Sequence, residues 1–315
     1  MSTTKKNLLA VLGATGNQGY SVASTVLSDP ELRARYDVRA LARSTISPKM
    51  TSLASLGASL VSADMDDIST LAPAFQGVNT LFFLTATQYT GNTRDIETRQ
   101  AKAVCTAALA AGVSYIIYSS MSHPTMLSGG QYKNVEHFDD KAEIEVYIRS
   151  LPVKSSFFAP ASFMQNFLGP FMRPMPSEKV GEWVLANCAY GHSRMPFIDI
   201  EETGKWVGAV LAKPEEYNGK TFAAAAEILS MDEVAKIVAT VTGKKVSHQH
   251  VPDEVFKGFL PEGMQTQLYE MWAFQRDFGY YGPDTEKEVA WARDNARGEL
   301  TGLEEFLRKH NYTLE

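Results

Sequence analysis

The chain has 315 residues and a mass of 34.7 kDa, with 44% hydrophobic and 21% charged residues. That balance excludes disorder, collagen and coiled coil as whole-chain readings and suits one large α/β domain with a smaller lobe. Thirty basic against thirty-six acidic residues leave a net charge of −6 with no Lys/Arg run, which argues against direct nucleic-acid binding.

The N-terminus carries Lys5 and Lys6 and then an apolar run too short for a signal-peptide core. No apolar stretch approaches the roughly 20 residues that span a bilayer, so no membrane partner is expected. The run at residues 7–12 predicts a first strand and residues 16–27 a helix. Further strands are expected at residues 38–42, 60–62, 80–84 and 115–119, with a long helix at 94–111. Strands alternating with helices imply βαβ crossovers and a parallel sheet, and Leu-Phe-Phe-Leu and Tyr-Ile-Ile-Tyr lack the polar alternation of a half-exposed strand.

Residues 122–134 are polar with Gly129-Gly130 at their centre, which predicts a mobile loop where a lid would sit. A helix at 136–150 and a strand at 155–159 follow. After Pro160 the texture changes, and Pro170, Pro174 and Pro176 crowd a Met- and Phe-rich stretch. Beyond it a helix is expected at 201–212, a strand at 221–225, a helix at 231–242 stopped by Gly243, and a strand at 245–251. The tail from Pro261 reads as helical and aromatic. The expected division is residues 1–160 as nucleotide-binding domain and 161–315 as a smaller α/β lobe for substrate or partner, with segments around 180–225 completing the sheet.

Gly13-Ala14-Thr15-Gly16-Asn17-Gln18-Gly19 joins the first strand to the first helix. The first glycine permits a tight turn, the second lets backbone approach a pyrophosphate, and the third lets helix pack on strand. The helix N-terminus then offers N–H groups and a positive dipole end to phosphate. An acidic residue ending the second strand would take the ribose hydroxyls of NAD. Here the strand runs into Arg43, whose guanidinium suits a 2′-phosphate, so NADP(H) is the expected cofactor. Asp64 follows the third strand within reach of an adenine. Thr85-Ala86-Thr87 falls at the carboxyl edge of the sheet, where ligands of such sheets lie.

The glycine triplet, Ala-Asp-Met-Asp-Asp (63–67), Tyr-Ile-Ile-Tyr-Ser-Ser (115–120) and His-Phe-Asp-Asp-Lys-Ala-Glu-Ile-Glu-x-Tyr (137–147) together resemble the NmrA-like branch of atypical short-chain dehydrogenases/reductases. The resemblance is closest over roughly the first 170 residues. It implies a doubly wound Rossmann-type parallel sheet. It also implies that Gly13, Ala14, Thr15, Gly16, Asn17, Gln18 and Gly19 hold the pyrophosphate and that Arg43, Ser44 and Thr45 surround the 2′-phosphate. Asp64 and Met65 would flank the adenine. Thr85, Ala86 and Thr87 would line the ribose and nicotinamide side. Lys141 would bond the nicotinamide ribose, and Ser162, Phe163, Met164 and Gln165 would close over the nicotinamide. Sensor members of the family add a Lys shortly after the Arg, whereas this chain reads Ile46-Ser47-Pro48-Lys49.

A second departure lies at the chemical centre. Most members of the superfamily carry Tyr-x-x-x-Lys, in which the ammonium lowers the pKa of a phenol on the same helix face. This chain keeps Lys141 and places His137 at the tyrosine position. A neutral imidazole is a weak acid, and the neighbouring Lys charge disfavours the protonated form. His137 therefore either orients a carbonyl and stabilises an oxyanion or is a helix-face histidine without a chemical role. Lys141, Ser119, Ser120 and Tyr132 remain as alternative proton sources.

Two readings follow. The first is an NADPH-dependent oxidoreductase that reduces a small apolar carbonyl, imine or activated double bond, with Lys141 and His137 as catalytic residues. It is the leading expectation, favoured by the intact Lys141 and by apolar Phe163, Met164, Phe167, Phe171, Met172 and Met175. The second is an NADPH/NADP redox sensor or transcriptional regulator acting through a protein partner, favoured by the missing tyrosine. Oligomerisation is left open. Cys105 and Cys188 are too few and too distant for a disulfide framework, which points to a reducing compartment, cytoplasmic or, for a regulator, nuclear. His248 and His250 share a strand face without nearby acidic or Cys ligands, so no metal site is expected.

Overall fold

The computed structural model describes residues 5–88 and 91–315. Residues 1–4, part of the N-terminal segment whose apolar run is read above as too short for a signal-peptide core, lie outside the described residues. Six strands follow one another through crossover helices: β1 (Asn7–Leu12), β2 (Tyr36–Ala42), β3 (Ser59–Ser62), β4 (Thr80–Phe83), β5 (Tyr115–Ser119) and β6 (Lys154–Pro160). The chain then leaves this sheet for β7 (Ser162–Phe163), β8 (Met175–Pro176), β9 (Glu182–Asn187) and β10 (Arg194–Ile198). It returns as β11 (Thr221–Ala224) and leaves again as β12 (Glu227–Ser230) and β13 (Lys245–His250).

The central sheet has the order β11-β6-β5-β4-β1-β2-β3, and every neighbouring pair is parallel. The order reverses between β1 and β4, which makes the doubly wound arrangement expected from the sequence and opens a ligand crevice at that switch point. Alternate residues of each strand feed two separate cores. On one face Leu9, Val11, Val38, Phe82, Ile117 and Phe158 pack under the helices Asn17–Ser28 and Thr203–Ala212. On the other, Leu41, Leu81, Phe83, Ile116, Tyr118 and Phe157 pack under the helices Thr93–Ala110 and Glu136–Arg149. Burial on both faces is why these strands read as continuous apolar runs.

Of the segments around 180–225 expected to complete the sheet, β11 does so, whereas β9 and β10 pair elsewhere. β9 lies between β13 and β8, and β10 between β12 and β7, in two three-stranded sheets. They cover a third core built on Met164, Phe167, Phe197, Val234, Val238, Trp272 and Phe306. The aromatic tail thus supplies packing: Trp272, Phe274, Tyr280 and Tyr281 are all buried. The helix Met231–Thr242 begins with a Ser230/Glu233 capping box and ends at Gly243 with φ +66°, as the pattern anticipated. Both cysteines are free and buried, and burial pushes each thiol up to about 12, which makes them poor nucleophiles. Among the described residues no helix is long and apolar enough to cross a membrane.

Candidate functional site

The turn after β1 is built by its glycines. Gly13 takes φ +87°, and the N–H groups of Gly13 and Ala14 both donate to Leu41 O at 3.0 Å, which ties the loop to the end of β2. Gly16 caps the helix Asn17–Ser28 without a side-chain hydrogen bond, so its first N–H groups remain for a ligand. A Cβ on Gly19 would lie 2.7 Å from the carbonyl carbon of Gly13 and closer still to its oxygen. Only glycine permits that approach of helix to loop. Gln18 Oε1 is buried beside the turn with no hydrogen-bond partner among the described residues. A backbone cradle and a helix N-terminus whose first N–H groups have no side-chain cap fit the diphosphate of a dinucleotide.

Arg43 and Ser44 are exposed beyond the end of β2, beside this loop, and Thr45 is half-buried. Ser44 Oγ accepts from Ile46 N at 3.2 Å. The Pro48–Leu56 helix carries Lys49 back to the glycine loop, where Nζ donates to Asn17 Oδ1 at 3.0 Å and lies 5.5 Å from the Tyr20 ring centroid. Asp64 shapes its own turn, since Oδ1 accepts from Asp66 N at 3.0 Å. Met65 packs half-buried against the second core.

Past β4 the three expected contacts diverge. Thr85 is buried and its hydroxyl donates to the Glu97 carboxylate, so that hydroxyl is engaged in the interior. Ala86 is exposed, and Thr87 Oγ1 accepts from Lys141 Nζ at 3.2 Å. Past β6, Met164 is buried in the third core. The Gln165 amide donates to Asp199 Oδ1 at 2.7 Å, and its oxygen accepts from Ile200 N at 3.3 Å. Ser162 and Phe163 stay half-buried.

Lys141 and His137 stand one turn apart on the helix Glu136–Arg149. Lys141 Nζ lies 2.5 Å from Glu97 Oε2, with the lysine side chain 14% and the glutamate side chain 0% exposed. Burial lowers the Lys141 pKa, and the Glu97 carboxylate opposes that shift. Burial, assisted by the Lys141 charge, lowers the His137 pKa to about 3. The imidazole is thus neutral at physiological pH, chiefly through burial and secondarily through the neighbouring Lys141 charge.

Of the alternative proton sources, Ser119 and Ser120 are buried. Tyr132 is buried too, with its hydroxyl donating to Asp277 and its pKa pushed up to about 12. The segment 122–134, expected as a loose loop, is tied down. Ser122 Oγ donates to Tyr280 O at 2.7 Å, and Asn134 N to Glu270 Oε2 at 2.8 Å. Inside it Pro124–Leu127 forms a short helix, anchored by Thr125 N on Asp139 Oδ1 at 3.1 Å and by His123 Nδ1 2.6 Å from the same oxygen. Sequence reading missed Glu97 and the His123–Asp139 pair. A cavity of about 530 Å³ beside this segment is lined by Met121, His123, Ala142, Ala159, Tyr281 and Trp291, among others.

His248 and His250 serve local structure: His248 Nε2 lies 3.1 Å from Asn187 Oδ1 and His250 Nδ1 3.3 Å from Ala189 O. Among the described residues no group of three or more His, Cys, Asp or Glu is placed to hold a metal ion.

The strand order and the glycine turn at its switch point define a doubly wound α/β protein of Rossmann type. The chain belongs to the NmrA-like family, whose model matches residues 5–307. It is 32% identical to the NmrA-like family domain-containing oxidoreductase ptmS of Penicillium ochrochloron, over 89% of this chain and 87% of that protein. Its fold is similar to that of NmrA, a negative transcriptional regulator solved in complex with NADP, with a TM-score of 0.79 at 23% identity over 97% and 95% of the two chains. It is also similar to the Citrobacter sp. triphenylmethane reductase complexed with NADP(H), with a TM-score of 0.72 at 24% identity over 96% and 99%. The family resemblance and the doubly wound sheet expected from the sequence are both borne out.

Proposed function

We propose that this protein is an NADP(H)-dependent oxidoreductase that reduces a small, largely apolar carbonyl, imine or activated double bond. The observation that carries this reading is the Lys141 ammonium, held between the buried Glu97 and Thr87 beside the carboxyl ends of β4 and β5. The oxidoreductase name of ptmS supports it.

Residues 13–19 would hold the diphosphate through backbone N–H groups, with Arg43 and Lys49 supplying positive charge for a 2′-phosphate. Bound NADPH supplies hydride to the substrate. Lys141 has three N–H donors; among the described residues Glu97 and Thr87 take two, and the third would serve a ribose hydroxyl. The neutral His137 can donate a hydrogen bond to developing negative charge but does not act as a cationic acid. Phe163, half-buried, and Phe171, 58% exposed, give the region after β6 an apolar character that suits an apolar substrate.

The test is NADPH oxidation across a panel of carbonyl, imine and ene compounds, by wild type and by Lys141→Met. Turnover lost in the variant supports the reading, and no turnover with any compound contradicts it. A second reading is favoured by the neutral His137 in place of an activated tyrosine. In it the same site senses the NADPH/NADP ratio for a regulatory protein partner. Cofactor-dependent binding of such a partner, with no turnover, would select it.

A further inference from the structure

Glu97 is a fully buried carboxylate that the dinucleotide site, as read from sequence, does not use. It sits near the start of the helix Thr93–Ala110. Its Oε2 accepts from Lys141 Nζ at 2.5 Å and from the Thr85 hydroxyl. Thr85 Oγ1 lies 3.0 Å from the Tyr118 hydroxyl, which completes a chain from the core to the sheet edge. Among the described residues Glu97 Oε1 is buried with no hydrogen-bond partner and Lys141 is the one cation paired with this carboxylate. A buried charge so sparsely compensated interacts strongly with its single counter-ion.

A tie between the two helices does not explain the pair. Arg94 already bridges them, at 3.0 Å to Asp140 and 3.3 Å to Glu143. Glu97 adds a directed contact instead: among the described residues it fixes one N–H of Lys141 and Thr87 fixes a second, which sets the direction of the third.

We propose that Glu97 is the positioning residue of Lys141, keeping the ammonium charged and aimed at the cofactor edge. The inference rests on reading Lys141 as a cofactor contact. The titratable groups around the ammonium are Glu97 on the facing helix and His137 and Asp140 on its own, with Tyr118 behind Glu97 through Thr85. Burial works against the charge on Lys141 and Glu97 works for it. Removing Glu97 therefore moves deprotonation of Lys141 to lower pH.

The test is NADPH affinity, by titration calorimetry, from neutral to alkaline pH for wild type, Glu97→Gln and Lys141→Met. Wild-type affinity should fall only at alkaline pH. Glu97→Gln should fall at least one pH unit earlier, so that at an intermediate pH it binds about tenfold more weakly than wild type. Glu97→Asp, which keeps the charge and shortens the reach, should fall between them and serves alone if Glu97→Gln does not fold. Profiles of the Glu97 variants that superimpose on wild type overturn the proposal. A Lys141→Met protein that binds as wild type does at every pH removes Lys141 from the cofactor contact and overturns both readings together.

Discussion

Lys49 donates to the side-chain oxygen of Asn17 across 3.0 Å, so the first turn of the Pro48–Leu56 helix brings a cation to the glycine loop shortly after Arg43 has left β2. Under the proposed reading, Arg43 and Lys49, from different segments, would both meet the 2′-phosphate of NADP(H). A charge-assisted hydrogen bond contributes about 1.5–3 kcal/mol, or about 10–150-fold in affinity. Arg43→Ala should weaken NADPH binding by about that factor and NADH binding little, and Lys49→Ala should act in the same direction by about fivefold. Fluorescence titrations with both nucleotides measure this. Equal losses for NADPH and NADH would mean that neither cation meets the 2′-phosphate.

The closeness of Gly19 to Gly13 makes a second expectation. A methyl group at Gly19 has backbone, not a flexible side chain, as its neighbour. Gly19→Ala should lower stability by about 1–3 kcal/mol, the usual penalty of overpacking, and weaken dinucleotide binding at least tenfold. Urea unfolding and nucleotide titration read the two effects separately. A variant that matches wild type in both would show that the turn relaxes without penalty.

His137 gives a pH dependence whose sign is fixed by its burial. Its folded-state pKa is about 3 against 6.5 in the unfolded chain, so between those values the unfolded chain binds a proton that the native protein does not. The stabilising effect is complete above about pH 6.5 and is lost as pH falls toward 3, by at most about 1.4 kcal/mol per pH unit. Asp140, whose carboxyl burial pushes up to about 6, works in the opposite direction over part of this range. The difference between wild type and His137→Gln cancels that contribution. The variant should lose less stability than wild type from pH 6.5 to pH 4.5 in urea unfolding, and parallel curves would contradict a neutral, half-buried imidazole.

The Tyr132–Asp277 and Asn134–Glu270 contacts pin residues 132–134 to the helix Gln265–Phe278. Asp277 is held in turn by Arg276, at 2.7 Å from Arg276 Nε. Asp277→Asn should raise amide exchange in residues 128–134 by at least fivefold, the equivalent of about 1 kcal/mol for one hydrogen bond. Unchanged exchange would show that the segment is held by packing alone.

Much of this molecule was legible in the chain. The strands β1 and β5 fall where the apolar runs placed them, and β2, β3, β4, β6 and β11 differ by a residue or two at their ends. A strand buried on both faces advertises itself, and a glycine turn at a strand-to-helix junction does too. What was missed depends on partners distant in sequence. β7 and β8 are two residues long and exist because β10 and β9 run beside them. β10 carries Pro196, which hides it from a propensity reading. Glu97 lies among Arg94, Asp95 and Arg99 as one more charge on an amphipathic helix, and only its contact with Lys141 sets it apart. The loop at residues 122–134 looked mobile because its anchors, Glu270 and Asp277, lie far along the chain.

The most direct measurement is titration calorimetry of NADPH and NADH into the folded wild-type protein at neutral pH. The account predicts saturable heat with NADPH at one site per chain and weaker binding of NADH. No heat with either nucleotide, in protein shown to be folded by its unfolding transition, would contradict it.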